Sequence, residues 1–486
     1  MNGSVSKGHK ALNNLISMPV IERGILAMRE SGIRELIVVV GHAAEQLPNA
    51  LGDGSRFGIT IQYVYNQNWQ DGNGTSLYAA KDFVGDEPFV VTMADHWYEP
   101  AIVRLLIENS FESQGSRLCV DTKLDSLYDP ADATRVQVDS VGVIRQLSKD
   151  LLKFNGVDCG LFVFTNDVFR ELEIGFASGE YSLSAAANRL AALGKLTAVN
   201  IGDLKWEDVD TLGALRTARA KLRSSLTGHD NGIVSRFLNR RLSLPLSMLA
   251  IRARLTPNAV SLISFLTAIA AGVAFSFGYL IAGAVATQIS SIVDGSDGEV
   301  ARARFMATSQ GGVLDSMLDR VADLFILSGA GYYVLQGAPQ PWETVIVFAA
   351  IGVAPMSMMI KDRFQLASGE SWRSEAHDGV AQLLFAGRDG RLFVIFLAGL
   401  FGVLMPAIAF IAVTGFALLI WRMAIAWRQL GQSAEADRLP ESAPAPASTP
   451  MVIDGLLATV TVVPGTNRPT AVHIESPQSG ASHLQD

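Results

Sequence analysis

From residue 258 to 428 the chain is a succession of apolar runs, most of them close to the roughly 20 residues an α-helix needs to cross a bilayer. Such runs leave few folds open. In hydrocarbon every backbone polar group must be satisfied internally, so separate apolar segments of this length become packed helices. Four aspartates sit inside this series. Asp294 and Asp297 stand three apart and Asp315 and Asp319 four apart, so each pair lies on one helical face. A charged side chain at bilayer depth costs about 2.5–3.5 kcal/mol or more, which makes these four functional candidates. Two facing helices would bring all four carboxylates to one point, and only cations hold that much negative charge together.

The remaining runs complete an all-α bundle. Thr256-Pro257-Asn258 caps the first run, which extends to about Phe277, and Gly278-Tyr279 makes a tight break. A second run from Leu280 leads into the aspartates. Others lie near 320–336, 342–360, 391–407 and 408–427, giving an expectation of six transmembrane helices. Basic residues gather at Arg236–Arg254, Arg302–Arg304, Lys361–Arg363, Arg388–Arg391 and Arg422–Arg428, alternating with bare loops. By the positive-inside rule the N-terminus and the aspartates face the cytoplasm of a multi-pass cell-membrane protein. Ahead of the bundle, Ile233 to Arg254 mixes arginines with Phe237, Leu238, Leu242, Leu246 and Leu249, the pattern of an interfacial amphipathic helix.

Composition separates this region from what precedes it. The whole chain has 486 residues, a net charge of -8 and 49% hydrophobic residues, but residues 1–225 carry charges throughout. The expected division is a cytosolic domain over 1–225, a linker with the amphipathic helix over 226–257, the membrane domain over 258–430 and a disordered tail over 431–486. That tail is rich in Pro, Ala, Ser and Thr, and its apolar run Met451–Val463 is too short to span. Cys119 and Cys159 form no metal-binding spacing or disulfide framework. The polar N-terminus carries no signal-peptide pattern. Acidic net charge without a basic block argues against nucleic acid as a partner.

In the first domain, short β-branched runs (Leu36–Val40, Ile59–Val64, Pro88–Met93) alternate with helical patterns such as residues 19–31, which stop at Gly32. This alternation predicts a doubly wound α/β sheet with its ligand site at the carboxyl ends of the strands. The strand ending at Met93 runs into Asp95, placed to hold the magnesium of a nucleoside triphosphate. Asn73-Gly74-Thr75-Ser76 precedes a helix whose N-terminus suits phosphate. Trp206-Glu-Asp208-Val-Asp210 adds a second carboxylate pair. Each is weak alone, since a strand-end Asp is more often a turn cap.

The aspartate segment D-x-x-D-G-x-x-A-R, an eight-residue gap, then G-x-x-x-D-x-x-x-D resembles the motif of the CDP-alcohol phosphatidyltransferases. Every fixed position is present: Asp294, Asp297, Gly298, Ala301, Arg302, Gly311, Asp315 and Asp319. The resemblance implies two Mg2+ ions held by the aspartates, Asp319 acting also as general base, and a CDP-alcohol lying against Gly298, Ala301, Arg302 and Gly311. Lys361, Arg363, Arg388 and Arg391 would clamp a phosphorylated acceptor, although positive-inside topology explains them equally well.

Residues 10–220 resemble a sugar-phosphate nucleotidyltransferase (Rossmann-like, GT-A type), closest to the inositol-1-phosphate cytidylyltransferase branch. Lys10-Ala-Leu, Pro19-Val-Ile-Glu-Arg23, Gly72-Asn-Gly-Thr-Ser-Leu77, Ala94-Asp95 and Asp158-Cys-Gly160 carry that likeness. It implies Mg2+ on Asp95 with Asp208 or Asp210, and CTP contacts from Gly3, Lys10, Gly74 and Thr75. One departure stands out. The family opens with a buried strand leading to a glycine-rich loop with an arginine; here the sequence opens Met1-Asn-Gly3-Ser4-Val5, so that first strand is missing and Val5 takes the arginine's place. Either the start lies upstream or the domain has lost this phosphate grip.

The two resemblances in this order match a multifunctional membrane enzyme family. Its members make CDP-inositol from CTP and inositol-1-phosphate, then transfer inositol phosphate to a second inositol-1-phosphate, releasing CMP. A homodimer in contact with membrane lipid is the assembly this implies. With 18% charged residues the chain lacks a hyperthermophile's ion-pair-rich composition, which leaves another polyol or a lipid open as acceptor. Two competing readings are a phospholipid-synthesising transferase with an inactive N-terminal scaffold, and a transporter using the aspartates as an ion relay.

Overall fold

The structure, a computed structural model, describes residues 9–111, 115–126, 128–129, 132–227, 234–370, 372, 377–379, 387–436 and 470–474. They fall into two compact units, one of residues 1–225 with 455–486 and one of residues 226–454.

The three β-branched runs expected as strands form Glu35–Val40, Thr60–Tyr65 and Phe89–Met93, and further strands join them. In chain order these are β1 (Glu35–Val40), β2 (Thr60–Tyr65), β3 (Phe89–Met93), β4 (His96–Tyr98), β5 (Ser116–Asp121), β6 (Arg135–Val138), β7 (Ile144–Ser148), β8 (Gly156–Phe164), β9 (Leu196–Asn200), β10 (Trp206–Asp208) and β11 (Thr470–Ile474). A nine-stranded sheet runs β9–β5–β8–β3–β11–β1–β2, with the β6–β7 hairpin attached to β8. Along that path β8 lies antiparallel to both neighbours and every other pair is parallel, so the sheet is mixed rather than wholly parallel. Every residue of β3 and all but the first of β1 are buried, as strands covered on both faces require. Helix α1 (Val20–Glu30) packs its apolar face inward and ends before Gly32, whose φ of 96° suits glycine. Helix α2 (Asn73–Ala79) follows Gly72.

Between β1 and β3 the sheet holds β11, a strand from the tail expected to be disordered. Among the described residues, β1 and β3 are each paired with β11 on their facing edges. The rest of that tail beyond Ala436, and Gly3 with its neighbours, lie outside the described residues.

Among the described residues the second unit has helices as its regular structure: α3 (Arg240–Arg252), α4 (Pro257–Ser276), α5 (Leu280–Ala303), α6 (Ser309–Val334), α7 (Pro341–Ser368), α8 (Arg388–Phe401) and α9 (Leu404–Ala436). The Thr256 side chain caps α4 with Pro257 in its first turn. Gly278, at φ 80°, makes the break before α5. Small residues fill the bundle centre, among them Ala268, Ala271, Ala284, Ala330, Ala350 and Ala398. Large apolar side chains such as Leu266, Val345, Phe348 and Trp427 face outward, an arrangement suited to lipid. Gly272 and Gly329 let α4 and α6 touch: a Cβ on Gly329 would strike the Gly272 carbonyl oxygen. Among the described residues three helices, α4, α7 and the Leu404–Gly431 part of α9, are long and apolar enough to cross a membrane. Of the other three expected spans, α5 and α6 carry the aspartates and α8 has 14 residues.

Helix α3 has the two-faced character expected of it. Leu242, Leu246 and Leu249 are exposed, whereas Ser243, Ser247, Ala250 and Ile251 are buried.

Candidate active sites

In the helical unit the eight-residue gap of the aspartate motif contains a reverse turn. Helix α5 ends at Ala303, Phe305 adopts φ 56°, and Thr308 starts α6 by accepting the Gly311 N–H at 3.0 Å. The two helices therefore run antiparallel, which pairs the outer aspartates with each other and the inner ones likewise. Asp294 meets Asp319, and Asp297 meets Asp315. Carboxylate oxygens of Asp294, Asp315 and Asp319 all lie within 4.8 Å of one another. Asp297 stands slightly apart, accepting hydrogen bonds from the Ser261 hydroxyl and from the Gly298 N–H. Three converging carboxylates are a hard-oxygen donor set that fits a magnesium-class cation.

A cavity of about 240 Å³ adjoins the aspartates, lined by Gly298, Ala301, Arg302, Gly311 and the carboxylates of Asp297 and Asp315. All four residues expected to contact a CDP-alcohol thus border one space. Arg302 is anchored there by donating from Nε to the Leu226 carbonyl at 2.7 Å.

On the other side of the cluster sits Arg388. Its guanidinium reaches Asp294 at 2.6 Å, Asp319 at 3.0 Å and Asp323 at 3.2 Å, while Arg391 binds Asp323 at 2.8 Å. Of the four residues expected at an acceptor phosphate, Arg388 therefore reaches the motif aspartates, and Arg391 reaches Asp323, one turn beyond Asp319 on α6. Lys361 and Arg363 lie toward the end of α7, the first half-buried and the second exposed.

Sequence reasoning passed over Asp323 and Ser261. Asp323 was visible as a further i+4 step beyond Asp319. It also passed over Glu299, a fully buried carboxylate that accepts from Arg240 at 2.9 Å, Ser243 at 2.8 Å and Ser247 at 2.6 Å, tying α3 to α5.

In the sheet unit, the short β4–β10 ribbon brings two segments over the carboxyl end of β3. Its register sets Asp208 opposite His96, next to Asp95. His96 Nδ1 lies 3.2 Å from Asp95 and 3.6 Å from Asp208, and the three can share one ion. Burial opposes charge on His96, but Asp208, Asp95 and Asp158 together raise it to about 9. Burial pushes Asp208 up to about 7, with His96 opposing and Asp95 and Asp210 reinforcing. Asp158, buried likewise, rises to about 6 while accepting the Gly160 N–H at 2.6 Å. Gly160 sits at φ 72°, and a Cβ there would strike the His96 ring at 2.6 Å.

Lys10 is close enough for its charge to act on both Asp208 and Asp210. Asp210 joins Asp158, Asp208, Lys149 and Thr134 around a cavity of about 190 Å³. Gly74 and Thr75 are placed differently. The Gly74 N–H donates to Tyr181 O at 2.9 Å, and the buried Thr75 hydroxyl donates to Gly72 O at 2.7 Å and accepts from Asn66. Both shape the first turn of α2.

Comparison with known proteins agrees with this division. The nucleotidyl transferase family model matches residues 4–225, and the CDP-alcohol phosphatidyltransferase model matches residues 254–421. A protein of Rubrobacter xylanophilus described as a bifunctional IPC transferase and DIPP synthase is 34% identical, over 81% of this chain and 86% of its own. A Thermococcus kodakarensis protein of the same description is 32% identical over 80% of this chain and 85% of its own. The archaetidylinositol phosphate synthase of Methanothermobacter thermautotrophicus is 31% identical over 37% of this chain and 88% of its own length. With a nucleotidyl transferase unit and a CDP-alcohol phosphatidyltransferase unit joined in one chain, the protein belongs to the family of the bifunctional IPC transferases and DIPP synthases.

Proposed function

We propose that this chain makes CDP-inositol from CTP and inositol-1-phosphate in its sheet unit. In its helical unit it then transfers inositol phosphate from CDP-inositol to a hydroxyl of a second inositol-1-phosphate. The observation that carries the second step is the 240 Å³ cavity whose lining joins the CDP-alcohol residues to the aspartates. A cytidine diphosphate seated against Gly298, Ala301 and Gly311 places its pyrophosphate at Asp294, Asp297, Asp315 and Asp319. The acceptor oxygen forms a bond to the phosphorus bearing the inositol, the bond from that phosphorus to the CMP oxygen breaks, and Asp319 takes the hydroxyl proton. Two Mg2+ ions, when bound, would neutralise the pyrophosphate and the departing CMP. Arg388 and Arg391, oriented by Asp323, hold the acceptor's phosphate beside Asp319, with Lys361 and Arg363 completing the positive rim.

In the first step the phosphate oxygen of inositol-1-phosphate attacks the α-phosphorus of CTP and pyrophosphate leaves. Asp95 and Asp208 would hold Mg2+ there, Asp210 stands by, and Lys10 offsets triphosphate charge. The 190 Å³ cavity receives the sugar phosphate, with Lys149 at its wall. Six spans, with both units' chemistry on the cytoplasmic side, are the topology that the basic clusters favour.

The test supplies purified full-length protein with CTP and inositol-1-phosphate, and separately with CDP-inositol and inositol-1-phosphate. Pyrophosphate in the first reaction and CMP in the second are expected. CMP release without pyrophosphate would leave only a phosphotransferase with a scaffold domain, and neither product would sink the reading.

A further inference from the structure

The sheet of the first unit is completed from an unexpected part of the chain. β1 and β3 are parallel, interior and buried, yet they are not neighbours; one strand's width separates them, and β11 occupies it. Its register is continuous on both sides. Ala471, Val472 and His473 face Leu36, Ile37 and Val38 on β1, and Val90, Val91 and Thr92 on β3. Both contacts are parallel, the orientation of β1 with β2, so β11 continues the sheet in phase. Its sequence, Thr470-Ala-Val-His-Ile474, is a strand-forming run inside a Pro/Ser/Ala-rich segment. A gap at this position would leave two rows of backbone groups unpaired in the middle of the sheet.

We propose that Thr470–Ile474 is the chain's own central strand for the nucleotidyl transferase sheet. Folding of the first unit, and the cytidylyltransferase step assigned to it above, then depend on residues that follow the helical unit in sequence. The edge it reaches is the functional one: Ile474 pairs with Met93, two residues before Asp95. The strand completes the backbone ladder between β1 and β3.

Hydrogen exchange read by mass spectrometry on the full-length protein in detergent tests this. Compared with it are a chain ending at residue 454 and the point variant Val472→Pro, which removes one ladder N–H. Amides of Glu35–Val40 and Phe89–Met93 are expected to exchange at least about tenfold faster in both variants, with those of Leu196–Asn200 less affected. A peptide of residues 466–478 added to the truncated chain should restore protection. In the same samples, pyrophosphate release falls while CMP release from supplied CDP-inositol persists. Unchanged exchange in the two central strands, or loosening of only one of them, overturns the proposal. Because exchange is read without CTP, failure of the cytidylyltransferase assignment shows separately, as absent pyrophosphate in a protein whose strands stay tail-dependent.

Discussion

Replacing Arg240 with methionine isolates one buried charge. Glu299 is fully buried and accepts three hydrogen bonds, one of them from Arg240 at 2.9 Å and two from serines of the same helix. Arg240 also donates to the Gly295 carbonyl at 3.2 Å. Stripping one partner from a buried pair leaves an uncompensated charge and costs about 3–5 kcal/mol. An ordinary polar contact between helices in a bilayer averages only about 0.6 kcal/mol, so the two accounts differ several-fold. Ser247→Ala, which removes one hydrogen bond to a carboxylate, should cost about 1.5–3 kcal/mol. The double variant Arg240→Met/Glu299→Leu removes both charges and should return to within about 1 kcal/mol of the parent. Reversible unfolding in mixed micelles, run on all four corners of the cycle, gives a coupling of at least about 2 kcal/mol on this reasoning. A cost below about 1 kcal/mol for Arg240→Met refutes it, as does a double variant no better than the single. Either result would mean that α3 docks on α5 through its small residues alone.

The remaining expectations concern packing and the two sites. Gly329→Ala should lower thermal stability in detergent by about 1–3 kcal/mol, because its Cβ meets the Gly272 carbonyl where two backbones already touch. Ala301→Leu should fill part of the 240 Å³ cavity and raise KM for the CDP-alcohol about tenfold or more while the melting temperature holds; steady-state kinetics beside a melting curve decides this. Asp208→Asn should remove pyrophosphate release and leave CMP release from supplied CDP-inositol intact, since the two carboxylate clusters belong to different units. A parallel loss of both products would argue against separate sites.

Local rules explain which parts of this molecule could be read in its sequence. The aspartate pairs were legible because i, i+3 and i, i+4 spacing fixes a helical face, and a gap of eight residues is about what a tight reversal between two helices needs. The strands at Glu35–Val40 and Phe89–Met93 were legible because β-branched runs bounded by polar residues have few alternatives. Asp323 and its arginine partners were not, since Arg388 is 65 residues away and only the bundle brings them together. Ser243 and Ser247 lay in a segment dominated by its leucines and arginines, which drew the reading toward a membrane surface and away from Glu299. The strand at Thr470–Ile474 was hidden for a related reason. Five residues in a low-complexity tail carry no signal of where they pair, and pairing across the length of the chain is the least local of all constraints.

The most direct test of the account is metal-dependent CMP release from CDP-inositol by the purified protein, with Asp315→Asn and Asp319→Asn beside it. The account predicts CMP only with a divalent cation, loss on chelation, recovery with added magnesium, and at least a hundredfold loss in both variants, each still folded by its melting curve. CMP release that persists in chelator, or in both folded variants, would contradict the assignment of the four aspartates as the centre of this chemistry.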